Sequence, residues 1–181
     1  MSVNYPFPSK RMGNELNPKL VILLENNGGN PRYIKWNSDY SMNMDGVYKD
    51  SGIPFSIVKE YDRWWHDKSE RWASKFKDDE VLALEYYPYA TEKTIKCNEI
   101  YPRQNDTQWN QYARDSLIEN IELLRNAMNN RAAIFIYYSE NGNWYEKAPE
   151  LKQYKGKISH VDTGTYPSLI KKRFDSFISS I

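Results

Sequence analysis

The chain has 181 residues, 40% of them hydrophobic and 27% charged, with 25 Lys+Arg against 24 Asp+Glu. That length suits one domain whose core needs no covalent staple, and a net charge of +1 excludes a histone-like basic protein or an acidic disordered tail. The single cysteine, Cys97, excludes an intrachain disulfide and a cysteine-based zinc site, a usage that fits the cytoplasm.

Residues 1–18 read as an irregular arm, because Pro6, Pro8 and Pro18 each lack the donor that a ladder or helix needs. The arm holds no apolar run of the roughly seven residues that a signal peptide requires. No segment approaches the ~20 apolar residues of a membrane span, so no membrane partner is expected. Residues 19–181 read as a single α/β domain. Leu20, Val21, Ile22, Leu23 and Leu24 form a continuous apolar run that stops at Glu25, ahead of Asn26, Asn27, Gly28, Gly29, Asn30 and Pro31. Such a run followed by polar, glycine-rich punctuation predicts a buried parallel strand feeding a functional loop.

Phe55 to Phe76 predicts a helix carrying Tyr61, Trp64, Trp65 and Trp72, an aromatic segment that is either core or a recognition surface. Val81 to Tyr87 predicts a second strand, broken by Pro88. Tyr112, Leu117, Ile121, Leu124 and Met128 recur at helical spacing and predict a helix from Trp109 to Asn130, with Asn129 and Asn130 as its cap. Ala132 to Tyr138 reads as a third strand and Lys157 to Val161 as a short fourth. Ser168 to Ile181 reads as a terminal amphipathic helix. Strands alternating with helices predict a three-layer α/β/α domain around a central, mainly parallel sheet.

In such a sheet, ligands bind beyond the carboxyl ends of the strands. Gly28 and Gly29 permit close backbone approach there, while Asn26, Asn27 and Asn30 offer donors and acceptors. Tyr87 and Tyr89 flank Pro88 at another strand end and suit stacking on a flat base, worth about 1–3 kcal/mol per base. Ser168 suits a helix N-cap with backbone donors behind it, and Lys171 and Lys172 add positive charge for a phosphate. The chain lacks GxGxxG and GxxxxGK[ST], so no nucleotide cofactor is expected. With only His66 and His160, and neither HExxH nor CxxC, no histidine or cysteine metal site is expected. Carboxylates alone can hold magnesium, and Glu25 with Asp162 would then serve a small phosphoester hydrolase or transferase. The absence of GxSxG disfavours a serine hydrolase.

The order of these loops resembles the uracil-DNA glycosylase superfamily. Its first motif follows an apolar strand as Asn-Pro-Gly, where this chain has Asn27, Gly28 and Gly29. Its last motif is His-Pro-Ser ahead of the final helix, where this chain has Tyr166, Pro167 and Ser168. Tyr87, Pro88 and Tyr89 resemble part of the Asp-Pro-Tyr-His loop of one branch, at a different place in the order. The resemblance implies an α/β/α fold, a DNA or nucleotide partner and base excision. It implies Glu25 or Asn27 to orient a water, and Tyr166 or the nearby His160 to stabilise the departing base. A base flipped into the crevice would stack on Tyr87 or Tyr89 and be read by Asn26, Asn27 or Asn30. The alternative from the same residues is a non-catalytic binding protein for a nucleotide, a nucleic acid or a protein.

Overall fold

A computed structural model describes residues 11–28, 54–61, 63–91, 107–137, 142–161 and 167–181. Five strands form one sheet: β1 (Arg11–Gly13), β2 (Leu20–Gly28), β3 (Val81–Thr91), β4 (Ala133–Ile136) and β5 (Ile158–His160). Their spatial order is β1-β3-β2-β4-β5, with β1 antiparallel to β3 and every other neighbouring pair parallel.

Strand alternation divides the core into two layers. Leu20, Ile22 and Leu24 of β2, with Val81, Ala83, Ala133 and Phe135, face α1 (Phe55–Tyr61), α2 (Arg63–Trp72) and the terminal helix α5 (Pro167–Ser180). Val21 and Leu23, with Leu82, Leu84, Tyr86, Ile134 and Ile136, face α3 (Thr107–Asn129) and the short α4 (Asn143–Lys147). The domain is therefore the three-layer α/β/α sandwich that the alternation of elements predicts. Because β2, β3 and β4 are covered on both faces, their sequences are near-continuous apolar runs.

Several boundaries differ from the sequence expectation. Arg11–Gly13, inside the expected irregular arm, is the antiparallel edge strand β1. Arg11 fastens it by donating from Nε to Glu15 at 2.7 Å and from Nη1 to Glu119 of α3 at 2.8 Å. Glu25 to Gly28, expected in a loop, continues β2, because β3 runs alongside and pairs Asn26 with Tyr87 and Gly28 with Thr91 across a register shift. Pro88 does not end β3. Pro88 falls within the register shift between the Tyr87 and Thr91 pairs with β2 and past Leu84, the last β3 residue paired with β1 among the described residues, so its missing N–H breaks no described ladder bond.

The expected helix from Phe55 to Phe76 is two helices, α1 and α2, and the second ends in a turn where the amides of Lys75 and Phe76 both donate to the Trp72 carbonyl. At the end of α3 the left-handed residue is Arg131, with φ +58°, and not Asn129 or Asn130. The amides of Arg131 and Ala132 donate to the carbonyls of Met128 and Ala127, the paired bonds of a Schellman cap.

Candidate functional site at the carboxyl ends of the strands

The chain leaves β2 for β3 on one side, then crosses back through α3 to reach β4 on the other side of β2. This reversal beside β2 marks the topological switch point, and the crevice of a doubly wound sheet opens at the carboxyl ends of β2 and β4. Glu25 lies on β2 two residues past its last pair with β4, Leu23 with Ile136, and has 4% of its surface exposed. Continuing the alternation of Val21 and Leu23, it lies on the α3/α4 face. Burial pushes its carboxyl up to about 7, against the opposing pull of a hydrogen bond from the Asn143 side chain.

The first turn of α4 supplies that bond. Trp144 anchors the turn by donating from Nε1 to the Leu24 carbonyl at 2.9 Å while its ring packs edge-on against Tyr86. Asn143 is thereby brought over β2 one residue further along.

A second carboxyl lies across the sheet from the first. Glu85 of β3 pairs in register with Leu24 and is fully buried. Its carboxyl is raised well above the ordinary carboxylate range, first by burial and then by the negative charge of Glu25. Alternation places Glu85 on the α1/α2 face, so the two carboxyls straddle the sheet within electrostatic reach of each other. Asn120 of α3 donates to the Glu85 carbonyl at 2.8 Å and ties the helix to this end of β3. Glu85 Oε2 and the buried Ser116 hydroxyl have no hydrogen-bond partner among the described residues.

Of the residues expected from sequence, Glu25 stands at the crevice. Asn26, Asn27, Gly28, Tyr87 and Tyr89 contribute backbone to the adjacent ends of β2 and β3, their side chains lying outside the described set. Gly29, Asn30, Asp162 and Tyr166 lie outside the described residues. His160 ends β5 opposite Ile136, its ring edge-on to Tyr145 at 6.3 Å between centroids. Arg173 of α5 donates to the His160 carbonyl at 3.1 Å.

Ser168 is not the N-cap of the terminal helix. Pro167, with its fixed φ and missing N–H, takes the first helical position and leaves Ser168 exposed inside the helix. Lys171 and Lys172 are exposed on α5, which packs on the face opposite Glu25. The aromatic segment is mostly core: Trp65, Trp72 and Phe76 are buried, and Trp64 alone of these is exposed, at 42%.

Sequence reasoning passed over Glu85, Asn120 and Asn143. A lone charge inside the run Val81 to Tyr87 and an asparagine between Leu117 and Leu124 on the apolar stripe of α3 were readable signals. Asn143 carries none, since its role comes from where α4 lands.

A separate cleft of about 380 Å³ lies at the amino end of β3, lined by Gly13, Asn14, Pro54, Phe55, Ser56, Asp78 and Asp79. It is remote from the strand ends where the fold concentrates chemistry. His66, Asp67 and Glu70 on the exposed surface of α2 bring metal-ligating atoms within 4.8 Å of one another, but nothing buried orients them. No described helix is long and apolar enough to cross a membrane. No protein-family model and no curated protein matches the chain, so the site stands on its geometry.

Proposed function

We propose that the crevice at the carboxyl ends of β2, β3 and β4 binds a nucleobase, and that Glu25 activates water there to excise the base from DNA or a nucleotide. The single observation that carries this reading is Glu25 itself: a buried carboxyl at the switch point, pushed up to about 7 and held by Asn143. A general base works best when its pKa lies near the operating pH, and a carboxyl at its ordinary value is a poor one. As carboxylate, Glu25 takes a proton from water. The water oxygen bonds to the anomeric carbon, the N-glycosidic bond breaks, and its electron pair leaves with the base. Asn26 and Asn27, next along β2, supply amides for the edge of the base. The sequence resemblance of Asn27, Gly28 and Gly29 to the first motif of uracil-DNA glycosylases supports the same reading.

The test is strand scission. Purified protein in excess is incubated with single- and double-stranded oligonucleotides carrying one uracil, and abasic sites are then cleaved with alkali. Scission at the uracil, reduced about 100-fold or more in Glu25→Gln, is the expected result. Intact oligonucleotides from the folded wild-type protein would overturn base excision. Uracil-independent oligonucleotide binding in that case would favour the non-catalytic alternative.

A further inference from the structure

On the other face of the sheet, at the same end, Lys68 of α2 is enclosed by aromatic rings. Its Nζ lies 5.0 Å from the ring centres of Trp64 and Tyr137 and 5.4 Å from that of Phe174. The residue is only 9% exposed. Among the described residues it makes no hydrogen bond or ion pair. The carboxylate most suited to it, Asp175 of α5, is held through both oxygens by Arg71 at 2.6 and 2.8 Å.

The ring faces give its ammonium cation–π contacts, while burial without a carboxylate in contact makes the neutral amine more accessible than in an exposed lysine. The buried hydroxyl of Tyr137, immediately after β4, has no hydrogen-bond partner among the described residues. Lys68, held by ring faces, and the Tyr137 hydroxyl, unpaired among the described residues, thus share one aromatic enclosure, with half-exposed Trp64 on its solvent side. A buried hydroxyl without a described partner beside such an amine calls for one.

We propose that Lys68 is a nucleophilic amine that condenses with the aldehyde of a ligand, with the Tyr137 hydroxyl donating to the carbonyl oxygen. The Nζ lone pair attacks the carbonyl carbon, the oxygen takes a proton and the nitrogen gives one up, which leaves a carbinolamine. With one further proton that oxygen departs as water, the C–O bond breaks, and the nitrogen lone pair forms the C=N bond of a protonated imine. No oxidant or reductant is consumed.

The electrostatics agree with this chemistry. Burial first, then Arg71 and Lys171, lower Lys68 to about 8, with Asp175 and Asp67 opposing. Burial keeps Tyr137 protonated far above neutrality, so it remains a donor. The inference stands apart from base excision, since it uses neither Glu25 nor a base. The aldehyde has two possible sources, a small free aldehyde or the sugar of an abasic site in DNA.

Full-length protein is incubated at pH 7.5 with cyanoborohydride and either glycolaldehyde or an abasic oligonucleotide, and reduced adducts are mapped by peptide mass spectrometry. Lys68 is expected to label at least about tenfold faster than exposed Lys152, and Tyr137→Phe to slow it by about tenfold. Trapping in the glycolaldehyde arm alone identifies a small aldehyde as the ligand, and trapping of the oligonucleotide identifies the abasic sugar. Labelling of Lys68 no faster than Lys152 in both arms overturns the proposal, and equal rates in wild type and Tyr137→Phe overturn the donor assignment.

Discussion

The side-chain amide of Asn143, in the first turn of α4, donates to Oε2 of Glu25 on β2 across 118 residues of chain. The bond favours the ionised carboxyl and so limits how far burial raises it. Asn143→Ala therefore raises the Glu25 midpoint above about 7. Carbon-detected NMR titration of the labelled carboxyl reads it directly, and an unmoved midpoint would show that the bond does not govern ionisation.

Glu25 also predicts how stability depends on pH. Its folded pKa of about 7 lies above the ordinary 4.5, so the folded state binds the proton more tightly than the unfolded chain. The resulting stabilisation is fully present below about 4.5 and is lost as pH rises to about 7, a difference of order 3 kcal/mol at most. Glu85 is shifted in the same direction and adds to the trend. Urea unfolding of wild type and Glu25→Gln should show the variant gaining relative stability between pH 5 and pH 8. A constant gap between them would contradict the assignment.

Trp144→Phe removes the donor to the Leu24 carbonyl while keeping an aromatic ring against Tyr86. The expected cost is about 1–2 kcal/mol, because the buried carbonyl loses a partner. Because the same turn carries Asn143, the Glu25 midpoint should move as well. A loss of stability without that movement would separate the anchor from the carboxyl.

Arg131 pays for the Schellman turn after α3 with a left-handed conformation at φ +58°. Glycine adopts that conformation without a Cβ penalty, so Arg131→Gly is expected to stabilise the fold by about 0.5–1 kcal/mol. Thermal unfolding checks it, and a fall in midpoint would mean that the arginine side chain contributes more than its backbone costs.

Gly13 is the opposite case. At φ +94°, a Cβ would lie 2.0 Å from the Val81 carbonyl oxygen and 2.7 Å from the Phe55 ring. Gly13→Ala is expected to destabilise by about 2–4 kcal/mol and to loosen β1, read as lost amide protection of the Arg11–Gly13 pairing with β3. Unchanged protection there would show that β1 tolerates the shift.

The three-layer class and most of the interior strands were legible in local pattern. Leu20 to Leu24, Val81 to Leu84 and Ala133 to Ile136 are apolar on successive residues because both of their faces are covered, and that signature survives without knowledge of the partner. The stripe Leu117, Ile121, Leu124 and Met128 announced α3 by its helical spacing, and Glu25 was visible as the residue that ends the first run. β1 was not legible, since three residues on an edge need no pattern beyond one fitting register with β3. The continuation of β3 through Pro88 was equally hidden, because it depends on pairing with the far part of β2 across a register shift.

Hydrophobic periodicity is a property of neighbours along the chain, and it was enough to place β2 in the interior with Glu25 closing its apolar run. Strand order, and with it the switch point beside β2, came only from tertiary pairing. So did the placing of Asn143 on Glu25, the approach of Glu85, and the ring enclosure around Lys68. Burial and charge at those side chains are set by residues as far as 118 positions away. An ionisation state depends on such distant partners, so the chemistry of these groups became readable only when the layers had closed around them.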